Sequence, residues 1–329
     1  MKWNSKRIAN TFGMDVYARL FVEYASVEEL RGSLPLLRGE RVLQVGAGSN
    51  LLFTHDWDGV VLHNGILGKQ FVGEEGERGL VRVGGGETWD DVVVWAIKEG
   101  YSGMENLSFI PGEMGAAAVQ NIGAYGVELA ELVAWVEAID LRTGALRLFE
   151  RSECDYGYRR SVFKGELWGR YAITHVVLSL SKKFCPRLAY GSLGACVEGR
   201  ACTPAAVREA VVGIRRAKLP DPAVLGNAGS FFMNPVISEE AFTRLQAQYP
   251  HMPHYRQAVG VKIPAGWLIE QCGWKGKRVG RVGVHESQAL VLVNLGGATG
   301  EEVVRLAEAI MDSVKQRFDI DLHTEVNIL

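Results

Sequence analysis

Val45-Gly46-Ala47-Gly48-Ser49-Asn50-Leu51 follows a short apolar run, Arg41–Val45, and begins like the glycine fingerprint of a dinucleotide-binding strand–turn–helix unit. It fails the rest of that test. The third glycine position is Leu51, and Thr54-His55-Asp56-Trp57-Asp58-Gly59 reads as loop, not as a continuing helix. A nicotinamide-binding doubly wound sheet is thereby set aside. Successive backbone N–H groups in a Gly/Ser/Asn loop still make an anion nest, to which Ser49 and Asn50 can add side-chain donors for a pyrophosphate. A plain tight turn accounts for the stretch equally well.

Working outward, Arg19–Tyr24, Arg41–Val45 and Gly59–Leu62 are predicted strands, apolar and bounded by turn residues. Ser26-Val27-Glu28-Glu29 is a capping box opening a short helix that is predicted to stop at Pro35. Leu80–Val83 is a further strand, and Thr88 opens a helix running to about Lys98. Val133–Asp140 and Ala145–Glu150 form a hairpin turning at Arg142-Thr143-Gly144, and Trp168–Leu180 alternates as one long strand. Thr203-Pro204 starts a helix with an apolar face of Val207, Ala210, Val211 and Ile214. Ser238–Tyr249 and Pro264–Cys272 are two more helices. Thr299-Gly300-Glu301-Glu302 caps the last one, whose stripe is Val303, Leu306, Ala307, Ile310, Val314 and Phe318. Strands and helices do not alternate as regular βαβ units, so the fold class is α+β with separate sub-domains. The best boundary is Leu219-Pro220-Asp221-Pro222.

The chain has 329 residues, enough for two domains. Its 36 Lys+Arg against 38 Asp+Glu give a formal net charge of −2, which argues against non-specific binding to nucleic acid or anionic membrane. No apolar run reaches the ~20 residues of a membrane span. Met1-Lys2-Trp3-Asn4-Ser5-Lys6-Arg7 lacks the apolar core of a signal peptide, so a cytoplasmic protein is expected. Cys154, Cys185, Cys196, Cys202 and Cys272 contain no CxxC pair and read as scattered buried thiols in a reducing compartment. His251 and His254 have no third ligand in sight, and no metal is expected. Glycine stands out, with 39 residues, about 12% against a usual ~7%. That excess points to close backbone approach to a ligand.

Much of the glycine lies in Gly103–Gly126, where Ile110-Pro111-Gly112-Glu113-Met114-Gly115-Ala116-Ala117-Ala118-Val119-Gln120-Asn121-Ile122-Gly123-Ala124-Tyr125-Gly126 lets a flat cofactor or its phosphates lie against the main chain. A small-residue helix packed in the core explains Gly115–Val119 alone but not the polar Gln120-Asn121 and the glycines after it. With this segment the sequence resembles the UDP-N-acetylenolpyruvoylglucosamine reductase family, flavoenzymes of peptidoglycan precursor synthesis. The resemblance rests on Asn10-Thr11-Phe12, Val45–Asn50, Ile110–Gly126, Tyr156-Gly157-Tyr158-Arg159-Arg160-Ser161-Val162-Phe163-Lys164, Leu225–Pro235, Ala265-Gly266-Trp267-Leu268-Ile269-Glu270 and Thr324-Glu325-Val326, in the family's order and nearly end to end. Leu188-Ala189-Tyr190-Gly191-Ser192-Leu193 resembles the insertion marking one of the family's two types. Met233 stands where many members carry Lys.

The resemblance implies two N-terminal FAD-binding sub-domains of the flavin-linked oxidase/PCMH type, residues 1–68 and 69–218, with a terminal strand 320–329 returning to the cleft. A smaller α+β domain, residues 219–319, closes over the UDP-sugar. It implies non-covalent FAD held by Gly46, Ala47, Gly48, Ser49 and Asn50 and by Ile110, Pro111, Gly112, Gly115, Ala116, Gln120, Asn121, Gly123, Ala124 and Tyr125. NADPH is the implied co-substrate, and UDP-N-acetylglucosamine enolpyruvate the implied substrate. Tyr158, Tyr190, Lys218, Asn234, Tyr255, Lys275 and Gln288 are the implied substrate contacts, and a monomer is expected. The implied chemistry passes hydride to the enolpyruvyl β-carbon and a proton to the α-carbon. It needs a clamp for an enolate-like carboxylate and a proton donor.

Arg159 suits the clamp, because guanidinium grips a carboxylate bidentately; beside Arg160 it otherwise reads as a surface arginine. Ser230 takes the family's proton-donor position, and read from the residues alone it is a loop serine satisfying backbone. In the terminal stretch, alternation places Ile320, Leu322, Thr324, Val326 and Ile328 on one face and Glu325 on the other with Asp321, His323 and Asn327. That second face is a solvated one unless, as the resemblance implies, Glu325 polarises the enolpyruvyl carboxylate. Two other readings compete: a flavin oxidase or dehydrogenase on the same fold, and a non-catalytic nucleotide-sugar or flavin binder. The first tends to tether flavin through His or Cys, absent from both glycine loops. The second does not require Arg159, Ser230 and Glu325 together.

Overall fold

The computed structural model describes residues 6–329; the N-terminal basic stretch as far as Ser5 lies outside the described residues. The chain forms two compact units. The first holds the strand Lys6–Arg7 with Tyr17–Ala47 and Trp57–Ala217, and the second holds Ile8–Val16, Gly48–Asp56 and Lys218–Leu329.

The first unit contains two larger sheets and a two-stranded ribbon, Gly123–Ala124 with Val127–Glu128. In the four-stranded one the order is Lys6–Arg7, Tyr17–Tyr24, Trp57–Asn64, Val42–Val45, with the last three mutually parallel. Helix Val27–Leu37 connects two of its strands, and Ser26 Oγ accepts from the Glu29 N–H at 3.1 Å. The helix does not stop at Pro35 as expected but ends two residues later. A proline in the last turn removes only one N–H donor from a helix that is about to end.

The five-stranded sheet is antiparallel, in the order Leu146–Glu150, Val133–Asp140, Tyr171–Ser181, Arg78–Gly84, Lys69–Glu75. Its central strand begins at Tyr171, not at the half-exposed Trp168, and is buried without a break from Tyr171 to Leu178. Simple alternation was expected, but both faces of this strand are covered, which favours a continuous apolar run. Ile173, Val176, Leu178 and Leu180 pack with Trp89, Val92, Met114 and Ala118, from helices Trp89–Lys98 and Met114–Gln120. Ala172 joins Ile139 and Leu141 against Leu30, Val60 and Leu62 of the four-stranded layer. Helix Pro204–Lys218 packs Val207 and Val211 on Leu193 and Val197.

In the second unit, helix Gly300–Phe318 buries the whole predicted stripe, and Thr299 and Glu302 cap each other as the motif requires. Helices Glu239–Gln248 and Ala265–Gln271 and two small three-stranded sheets complete it. The C-terminal strand Asn327–Ile328 runs parallel to Leu51–Leu52. Ile320, Leu322 and Val326 are buried as the alternation predicts, but Ile328 is 41% exposed on this two-stranded ribbon. The cysteines also differ from expectation. Only Cys154 is buried, while Cys185, Cys196 and Cys202 are exposed and Cys272 is intermediate.

Candidate active site

In the first unit the two glycine-rich segments meet. A Cβ on Gly46 would lie 3.0 Å from Glu113 Oε2 and 3.2 Å from Ala116 Cβ, so the main chain after strand Val42–Val45 lies directly on the start of helix Met114–Gln120. That helix shows Ala116 to solvent while burying Met114, Gly115, Ala117 and Ala118. The N–H groups of Met114 and Gly115 are taken by the carbonyls of Glu87 and Gly85, at 2.9 and 2.8 Å. The small size of Gly115 therefore serves the packing of helix on turn, and its N–H is not available to an anion. Glu113 does not cap the helix. Its Oε1 is 3.2 Å from His63 Nε2, and His63 Nδ1 is 3.2 Å from Glu23 Oε2. The hydrogen bond to Glu113 raises the His63 pKa against the opposing effect of burial, so the two carboxylates beside Gly46 favour protonation of the ring between them.

Phe109, Asn121, Tyr125 and Arg159 all have left-handed backbone conformations, with φ between 46° and 61°. Such strain in bulky residues collects where surrounding contacts over-determine the chain, and functional sites are the usual place. Asn121 was expected to contact flavin. Its buried side chain is instead committed to the protein: Nδ2 donates to Glu128 Oε2 and Gly157 O, and Oδ1 accepts from the Ala130 N–H. Gln120 differs. Its Nε2 is buried with no hydrogen-bond partner among the described residues, and an orphaned amide inside this segment fits a flavin or its phosphates. Asn106 holds the next turn by donating to Tyr125 O and Arg187 O, both at 2.8 Å. The Tyr125 ring meets that of Tyr190 edge-on at 6.0 Å, so the insertion touches the glycine segment.

Arg159 and Arg160 part company. Arg160 is exposed and pairs with Asp155 at 2.9 Å. Arg159 turns back onto the glycine segment, Nη2 donating to Gly123 O at 2.8 Å, with its guanidinium 5.3 Å from the Tyr158 ring centroid.

In the second unit Gly48 has φ +66°, and a Cβ there would lie 2.3 Å from Ala9 O. Asn50 faces the terminal segment rather than open solvent: Nδ2 donates to Glu325 O at 3.2 Å, and its own carbonyl accepts from the Asn327 N–H at 3.1 Å. Ser230 follows Gly229, whose N–H is held by Asn227 Oδ1 at 2.9 Å. It precedes the buried, edge-on pair Phe231–Phe232. The Glu325 N–H donates to Phe231 O at 2.8 Å, and the Met233 N–H to His323 O at 2.9 Å. Ser230 and Glu325 thus occupy neighbouring backbone segments, both half-buried. Asn234 Oδ1 accepts from the Ala265 N–H at 2.9 Å, and a Cβ on Gly266 would lie 3.2 Å from Gln288 Oε1, so both side chains flank the first turn of helix Ala265–Gln271. Tyr255 and Lys218 are exposed, and Lys275 is paired with Glu270 at 3.0 Å. Asp90, Arg208 and Arg215, which sequence reasoning passed over, surround Phe109 beside the glycine segment. Their only local signal was an acid in the first turn of a predicted helix.

The first unit thus holds a glycine-lined segment with an orphaned amide, and the second holds Ser230 and Glu325 on neighbouring backbone segments. Taken with the relatives described next, the chain is a flavin-binding oxidoreductase. A family model described as an FAD binding domain matches residues 18–149, and one described as the C-terminal domain of UDP-N-acetylenolpyruvoylglucosamine reductase matches residues 221–329. The reductase of that name from Bacteroides fragilis is 49% identical over 326 residues, covering 97% of each chain. That from Porphyromonas gingivalis is 47% identical over 333 residues, covering 99% of this chain and 97% of its own. The crystal structure of the Thermus caldophilus reductase, 23% identical, matches the fold with a TM-score of 0.68 over 99% of this chain and 98% of its own. The chain belongs to the UDP-N-acetylenolpyruvoylglucosamine reductase family.

Proposed function

We propose that this chain reduces UDP-N-acetylglucosamine enolpyruvate to UDP-N-acetylmuramate at the expense of NADPH, in peptidoglycan precursor synthesis. The observation that carries the reading is the bond from the Glu325 N–H to Phe231 O, which sets the proposed acid and the proposed carboxylate on adjacent backbone. Residues 1–68 and 69–218, with 320–329, are the proposed FAD-binding sub-domains, and 219–319 the proposed UDP-sugar domain. FAD is proposed to sit non-covalently on Gly46–Asn50 and on Ile110–Tyr125, neither of which contains His or Cys. FAD held there would supply the hydride chemistry that links NADPH to the enolpyruvyl β-carbon.

The chain's own residues handle the charge that then gathers on the α-carbon and its carboxylate. Arg159 holds the carboxylate, its guanidinium oriented by Gly123 O. Ser230 gives its hydroxyl proton to the α-carbon. A hydroxyl is a weak acid, so positive charge nearby or a water relay has to support the alkoxide. Glu325 polarises the same carboxylate, which requires it to be protonated or bridged, because two bare carboxylates repel. Tyr158, Tyr190, Lys218, Asn234, Tyr255, Lys275 and Gln288 are the proposed substrate contacts, and a diphosphate near Lys275 has to compete with Glu270. The protein is proposed to act in the cytoplasm as a monomer; among the described residues no helix is long and apolar enough to cross a membrane.

Anaerobic stopped-flow tests the reading. The reconstituted protein should be yellow, bleach with NADPH, and regain colour on mixing with the enolpyruvyl sugar nucleotide. Failure to take up FAD, or a bleached protein indifferent to that substrate, overturns it.

A further inference from the structure

The approach to Ile110-Pro111-Gly112 is held from outside the glycine segment. The indole Nε1 of Trp89 donates to Leu107 O at 2.8 Å, and the Trp89 backbone N–H donates to Gly112 O at 3.0 Å. Between those two ties lies Phe109, 39% exposed and with φ +61°. A left-handed conformation is uncommon for a bulky side chain and persists only where contacts impose it. Here they do. The Phe109 N–H donates to Asp90 Oδ1 at 2.6 Å, and Phe109 O accepts from Arg215 Nε at 3.0 Å. Arg208 grips both oxygens of Asp90, at 2.6 and 2.8 Å. Arg216 lies 5.1 Å from the Phe109 ring centroid. Burial would raise the Asp90 pKa, but Arg208 and the Phe109 N–H outweigh it and hold the carboxyl below its usual range. The acceptor is therefore charged, which makes its bond to Phe109 one of the stronger kind.

We propose that Asp90, fixed by Arg208, is a positioning residue: it holds Phe109 left-handed and so sets the direction in which Ile110–Gly112 meets FAD. The clamp rests on the proposed flavin site and touches no cofactor itself. Without Asp90 the cheapest backbone state for a phenylalanine at this position is right-handed or extended. The peptide after it then turns, and the loop has to be re-ordered each time FAD binds. Glycine at the same position needs no clamp, because it enters the left-handed region freely.

That difference supplies the test. FAD affinity is read on flavin-free protein by fluorescence quenching for the wild type, Asp90→Ala, and Asp90→Ala with Phe109→Gly. Circular dichroism checks the fold, and amide hydrogen exchange follows the Phe109 N–H. Loss of one charge-assisted bond predicts an FAD Kd raised about 10- to 100-fold in Asp90→Ala, with fast exchange at Phe109. Adding Phe109→Gly should bring the Kd back most of the way although Asp90 is still missing, an effect no merely structural role of Asp90 produces. An unchanged Kd in Asp90→Ala, or no recovery with glycine, overturns the proposal. Should Asp90→Ala fail to fold, Asp90→Asn and Arg208→Gln decide. Each should weaken FAD binding by less than the alanine change is expected to, and wild-type affinity in both refutes the clamp. A wild-type protein that takes up no FAD refutes the flavin reading instead, a result distinct from normal affinity in the variants.

Discussion

Replacing Gly48 by alanine should unseat the loop before it affects any cofactor. The residue has φ +66°, and a Cβ there would sit 2.3 Å from Ala9 O and 2.8 Å from Asn10 Cα. Both neighbours are backbone atoms, which cannot rotate away as a side-chain tip can. The left-handed conformation costs an alanine about 1–2 kcal/mol, and forcing an extra carbon into packed backbone costs about 1–3 kcal/mol more. The sum is about 2–5 kcal/mol, a large share of the roughly 5–15 kcal/mol that holds a typical protein folded. Gly46, two residues earlier, is the control. Its Cβ would meet the Glu113 carboxylate at 3.0 Å and the Ala116 methyl at 3.2 Å, and its φ is not in the left-handed region. Glu113 can swing aside, so Gly46→Ala should cost about 1 kcal/mol or less and fall mainly on FAD affinity through the Glu113–His63 pair. Urea unfolding by circular dichroism, with FAD content after reconstitution, separates the two. Equal destabilisation by both substitutions, or a Gly48→Ala protein as stable as the wild type, would refute this account of the loop.

Ser230→Ala should leave flavin reduction by NADPH nearly intact and slow reoxidation by the enolpyruvyl substrate about 10²–10⁴-fold, with Ser230→Cys recovering part of the rate; equal slowing of both half-reactions in stopped-flow would make Ser230 a structural residue. Arg159→Ala should lower kcat/KM by about 10²–10³, whereas Arg160→Ala, which loses only an exposed pair with Asp155, should leave steady-state kinetics unchanged. The pKa of His175 is lowered to about 4, first by burial and then by the Arg82 charge, whose Nη2 is 2.9 Å from Nδ1, with Glu137 opposing. The folded value lies below the unfolded one, so this group's stability is complete above about pH 6.5. It is lost as pH falls toward 4, by about 2–3 kcal/mol after allowing for partial hydration. Urea midpoints at pH 7.5, 5.5 and 4.5 should therefore fall less steeply for His175→Gln than for the wild type, and parallel curves would contradict the assignment.

Local chemistry made much of the fold legible. Thr299 and Glu302 cap a helix within one turn, and the stripe from Val303 to Phe318 repeats at the helical period, so both can be read from adjacent residues. The failure of Val45–Leu51 as a dinucleotide fingerprint was equally local, and it excluded a doubly wound sheet. Pro35 misled because a proline's effect depends on how much helix follows it. Tyr171–Leu178 misled because alternation reports one covered face, while this strand has two.

At the site, the family's blocks name Arg159, Ser230 and Glu325, but what each touches is a matter of long-range pairing. The side-chain amide of Asn121 is taken up by Glu128, Gly157 and Ala130, which leaves its part in the proposed flavin site to the backbone. Gln120, beside it, has an Nε2 with no partner among the described residues, and nothing in the two letters distinguishes them. Arg159 and Arg160 are likewise one residue type twice, separated by a left-handed backbone that sends one onto Gly123 O and the other to Asp155.

The sequence by itself determined which segments become helices and strands, where most of them are capped, and which residue types the chemistry draws on. Those signals are propensities and periodicities that act within a few residues. Tertiary structure alone decided which polar groups are already satisfied, that the segment after Ser230 pairs with the one carrying Glu325, and that Phe109 is held by Asp90 and Arg215. Most buried donors and acceptors find a partner somewhere in the fold, and the partner is chosen by proximity in space, which distance along the chain does not encode.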